Sequence, residues 1–73
     1  MNITFFPAVL RLPLPNPAEA LCLHPDGSAI EVNGFNSDRG FGWHVGRFPD
    51  WQSAMAGARE HWRSEAELIG GAA

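Results

Sequence analysis

The sequence predicts an α+β domain: a small antiparallel β-sheet of three or four strands with one C-terminal amphipathic α-helix packed on one face. Three observations carry this. Ile30 and Val32 alternate along one stretch, and Phe41, Trp43 and Val45 along another, with the period of a half-buried strand. Pro25-Asp26-Gly27 supplies a turn between the first of these and the apolar run before it. Asp50 then opens a segment in which Trp51, Ala54, Met55, Ala58, Trp62 and Ile69 recur at helical spacing. With 73 residues the chain makes one domain, 1–73, without a linker or an internal repeat. A domain this small buries only about 60% of the surface its unfolded chain exposes, so its core is thin.

Residues 1–17 read as an extended, Pro-rich arm or edge strand. Ile3 to Phe6 suits a short strand. Pro13, Pro15 and Pro17 alternate with Leu14 and Asn16, which excludes helix and favours extended or polyproline II backbone. Such a stretch can join a ladder only at a sheet edge. Asn16, Pro17 and Glu19 also stand where an N-cap, a first-turn proline and a capping-box acid would stand. A short helix over 17–23 therefore competes with the preferred strand. The arm's apolar residues, Leu12 and Leu14 among them, either wrap the core or pack on a partner or a second copy.

Residues 19–48 read as a β-meander: Glu19 to His24, Ser28 to Phe35, a polar loop Asn36 to Gly40, and Phe41 to Phe48. With Pro25 to Ser28 as a four-residue loop, Leu23 faces Ile30, Cys22 faces Glu31 and Leu21 faces Val32. Leucines then meet β-branched residues on one face. A three-residue loop would shift this by one and set Leu21 against Glu31. Residues 50–69 form the helix, capped by Asp50 and ended by Gly70 and Gly71. Its tryptophans are expected to pack on the sheet.

The positive charges are five arginines without a lysine, against eight acids, for a net charge of −3. That excludes a strongly cationic nucleic-acid binder, which must neutralise many phosphates. One cysteine, Cys22, forbids an internal disulfide and points to a reducing cytoplasm. The first residues lack the basic start of a signal peptide, and no stretch approaches the ~18 apolar residues that cross a bilayer. The Lys-free, Ala-, Gly- and Pro-rich composition suits a high-GC bacterial or phage genome, hence a bacterial host cytoplasm.

Chemistry-bearing residues are few. The expected register aligns Cys22, Glu31 and His44 across the outer face, provided Val32 pairs with Trp43. Thiol, carboxylate and imidazole are ingredients of a metal site or an activated thiolate, but the spacing fits no zinc module. The preferred reading is an exposed Glu–His pair beside a semi-buried thiol. His61 and Glu65 share a helix face, as do Arg59 and Arg63, which could grip a phosphate or a partner carboxylate. Gly40, Gly42 and Gly46 lie mostly inside a strand, unlike a phosphate loop. No nucleophile elbow is present. No catalytic residue, cofactor or metal is expected.

Gly42 to Trp62, GWHVGRFPDWQSAMAGAREHW, resembles the last strand and helix of small three-stranded sheet-plus-helix domains, among them the DNA-binding arm domains of tyrosine integrases. That resemblance implies a DNA-associated domain, but these strands lack the basic residues that would face a groove. In size, mild acidity and lack of catalytic residues the whole chain resembles the anti-CRISPR inhibitors of phages and mobile elements. That class implies a protein that blocks a multi-subunit host nuclease complex by occupying its surface. The expected function is thus a non-enzymatic protein-binding module of this inhibitory kind, with a DNA-associated domain as the alternative. Its expected binding residues are Asp26, Glu31, Asp38, Glu60 and Glu67, with Leu12 and Leu14 on the arm. The expected partner is a protein, with homodimerisation open and no membrane.

Overall fold

Alternation decides which side of a strand is buried, and it holds most strictly along the two central strands. In the computed structural model, which describes residues 10–70, the strands are β1 (Leu10–Pro13), β2 (Glu19–Asp26), β3 (Ala29–Asn36) and β4 (Phe41–Phe48). They pair antiparallel in the order β1-β2-β3-β4, and one helix, α1 (Trp51–Gly70), follows. The expected α+β architecture is what the chain adopts. The strand expected at Ile3 to Phe6 lies outside the described residues.

Among the described strands β1 lies at an edge, as its prolines require. The helix weighed for 17–23 does not form. Instead the Asn16 Oδ1 accepts from the Ala18 N–H at 3.0 Å and the Asn16 carbonyl from the Glu19 N–H at 2.9 Å. The same side chain that could cap a helix here closes a turn, which delivers β2 beside β1.

The β2–β3 register is a correction. Asp26 pairs with Ala29, so the loop is only Gly27 and Ser28, with Gly27 at φ 65°. Glycine at the first central position of a two-residue hairpin avoids the Cβ clash at positive φ. Every pair is therefore shifted by two from the expected one: Leu23 faces Val32, His24 faces Glu31 and Cys22 faces Asn33. A shift of two preserves the face, so the burial pattern survives. Leu21, Leu23, Ile30 and Val32 all point inward, and with Leu14, Ala54 and Ala58 they form the core.

α1 begins as expected. The Asp50 Oδ1 accepts from the Ser53 N–H at 2.7 Å, an N-cap bond to the third helical residue. The helix packs on β3 and β4. The face it buries is not that of its large residues. Ala54 and Ala58 are fully buried, whereas Trp51 is 38% and Trp62 46% exposed, which corrects the expectation that the tryptophans pack on the sheet. Small residues let the helix lie close. A Cβ on Gly57 would overlap the Phe48 ring, and one on Gly34 would overlap the Trp43 indole. The aromatic volume under the helix thus comes from β4, and the helix supplies the gaps.

Candidate functional site

The offset of α1 toward β4 opens a trough on the other side, between the helix and β1. It encloses about 270 Å³. β1 contributes Leu12 and Pro13, β2 contributes Leu21, and α1 contributes Met55, Ala58, Arg59 and Trp62. Leu12 and Met55 are half-buried, and Trp62 forms an exposed wall. Arg59 is the one charged group among these residues. Among the described residues no carboxylate, imidazole, hydroxyl or thiol lines the trough, so its chemistry is apolar burial, stacking on an indole, and one ion pair.

The residues singled out in the sequence do not gather on one surface. Asp26 and Glu31 both lie on the open face of the sheet, where Arg47 Nη1 donates to them at 2.5 Å and 3.1 Å. Their hydrogen bonds raise the Arg47 guanidinium further above its ordinary value. Glu60 and Glu67 lie on the solvent side of α1, where Arg63 donates to them at 2.6 Å and 3.2 Å. Asp38 is exposed in the β3–β4 turn. Leu14 is only 4% exposed and is a core residue. Leu12 alone of the seven lines the trough.

The row of Cys22, Glu31 and His44 is broken. Cys22 stands opposite Asn33, and Glu31 opposite Arg47. Gly46 rather than Trp43 pairs with Val32, and a bulge between Val32 and Asn33 moves the β3–β4 register by one residue, so that Asn33 pairs with His44. His44 still reaches the Glu31 carboxylate, diagonally, while Cys22 stays apart. Among the described residues no three His, Cys, Asp or Glu side chains converge. His61 and Glu65 divide their tasks: the His61 ring lies 6.1 Å from that of Trp43, and Glu65 Oε1 accepts from the Asn16 N–H at 3.3 Å.

That last contact ties the helix to the β1–β2 turn, and it titrates. Burial, then a hydrogen bond with the Glu19 carboxyl, raises Glu65 above its ordinary value of 4.5, against the opposing Asn16 N–H and His61. A raised carboxyl binds its proton more tightly in the folded chain. Its contribution is full below 4.5 and is lost as pH rises through the folded value. Asp50, held low by the Ser53 N–H and hydroxyl, and Glu60, held low by Arg63, act oppositely: their stabilisation exists above the ordinary values of 3.8 and 4.5 and is lost below. Urea midpoints should therefore rise on mild acidification from neutral pH and fall on further acidification. Glu65→Gln should flatten the first limb and leave the second. An unchanged first limb would show that Glu65 is not its source.

No known protein family, curated protein or solved structure matches this chain. No helix among the described residues is long and apolar enough to cross a membrane.

Proposed function

We propose that this chain is a non-enzymatic protein-binding module that receives an apolar segment of another polypeptide in the trough between β1 and α1. The exposed wall of that trough carries the reading. A small domain with a thin core leaves Trp62 46% exposed beside half-buried Leu12 and Met55, although alanines on the same helix are fully buried. Tryptophan and arginine concentrate binding energy at protein interfaces, and both stand at this one. The finer reading is a phage-type inhibitor that occupies a surface of a bacterial defence complex of the CRISPR–Cas kind. Small size and mild acidity support it. The DNA-associated alternative has less support, because Arg47 and Arg63 are already engaged by carboxylates.

Affinity capture from bacterial lysate with wild-type and Trp62→Ala baits tests the reading. At its exposure, Trp62 should give up about half of the ~3–5 kcal/mol lost on truncating a fully buried aromatic residue, so the variant stays folded. It should lose the captured protein. For the finer reading, that protein is a subunit of a nuclease complex whose cleavage the wild-type chain inhibits. Equal capture by the folded variant, or salt-sensitive retention on duplex DNA, would overturn the proposal.

A further inference from the structure

α1 outruns the sheet. Glu65 marks the sheet's end through its bond to the Asn16 N–H, and the helix continues to Gly70. On this overhang Leu68 is 83% and Ile69 59% exposed, next to Glu67. Leu68 follows His61 at i+7 and so extends the stripe that faces the sheet, at a point where none of the described strands lies beneath it.

The trough offers the complement. Arg59 has Met55, Ala56, Trp62 and Arg63 as its neighbours three and four residues away, so no acid shares its face at ion-pair spacing. Arg47 and Arg63 are in ion pairs, whereas among the described residues none reaches Arg59. In a chain of net charge −3 the described residues of the trough therefore present a cation and no anion. The overhang presents two uncovered apolar side chains beside Glu67, whose Oε2 accepts from Arg63 at 3.2 Å and whose Oε1 has no partner among the described residues. The trough runs beside α1 itself, so a rigid helix cannot bend its own end into it.

Resting on the reading of the trough as a protein-binding surface, we propose that its occupant is the helix overhang of a second copy of this chain. Leu68 and Ile69 of one copy lie against Leu12, Met55 and Trp62 of the other, and Glu67 accepts from Arg59 across the contact. Reciprocal exchange uses the same patch twice and closes as a two-fold dimer. The apolar contacts supply most of the affinity, and the ion pair sets register and rate.

Sedimentation velocity of the full chain over a wide concentration range tests this. The wild type should shift with concentration from 8.0 kDa to twice that mass. Leu68→Ala cannot disturb a core it does not touch, and should weaken association by about tenfold or more, as loss of a buried leucine side chain implies. Arg59→Glu and Glu67→Arg should each weaken it, and the two together should restore it. A wild type that stays monomeric throughout overturns the dimer; if Trp62-dependent capture persists, the binding reading stands without it. Dimers indifferent to Leu68→Ala, or a charge swap without recovery, also overturn it.

Discussion

Replacing Leu23 by alanine should leave little folded protein at room temperature. Leu23 is fully buried, at the centre of the inner face, between Leu10 on β1 and Val32 on β3. Large-to-small changes at such a site cost about 2–5 kcal/mol, as lost transfer energy plus the cavity left behind. A single core in a chain this short rarely supplies more than about 3–5 kcal/mol in total. Collapse around the site is limited, because the strands on both sides are held by ladder hydrogen bonds. Circular dichroism should show most of the β and helical signal gone. A loss below about 1 kcal/mol in urea would place Leu23 outside the core, on the scale measured for core truncations.

Gly57→Val should destabilise by about 1–3 kcal/mol, although a glycine inside a helix is ordinarily a weakness worth about 1 kcal/mol against alanine. The sign is set by Phe48. A Cβ at position 57 would overlap the far edge of its ring, and the ring is itself wedged between the helix and Gly46. The helix must then lift or the ring must leave its site. Phe48→Leu removes that ring edge, so the double variant should lose less than the sum of the two single losses. Urea titration of the four proteins measures this. Additive losses would mean that helix and strand do not meet at this point.

Face and element were legible in the sequence where periodicity decided them. The inward set of Leu21, Leu23, Ile30 and Val32, the Asp50 cap and the end of β4 at Phe48 all follow from spacing and cap chemistry. Register was not legible. Pro25 and Asp26 look like turn residues, yet they extend β2, because Gly27 and Ser28 alone close the hairpin. Cys22 is parted from Glu31 by the two-residue hairpin register, and the bulge between Val32 and Asn33 has no local sequence marker. The helix tryptophans mislead because close fit, not size, decides the buried face: α1 meets the sheet through Ala54, Gly57 and Ala58, whose smallness makes room for Phe48.

The site was legible only in parts. Leu12 and Arg59 stood out singly, the latter as a group able to hold a partner carboxylate. The trough that joins them comes from the lateral offset of α1 from β1, a tertiary property. One usable signal was present: Arg59 lacks an acid three or four residues away, while Arg63 has Glu60 and Glu67. Asp26, Glu31 and Glu60 look available along the chain, yet cross-strand and i+3 pairing with Arg47 and Arg63 already engages them.

Site-specific photo-cross-linking in bacterial cells tests the central claim, that the trough is the face other chains touch. A photoreactive amino acid is placed at exposed position 13 on the trough rim, or at exposed position 44 on the opposite face of the sheet. The account predicts a discrete adduct with a second polypeptide from position 13 and none from position 44. An adduct from position 44 alone, or from neither position, would contradict it.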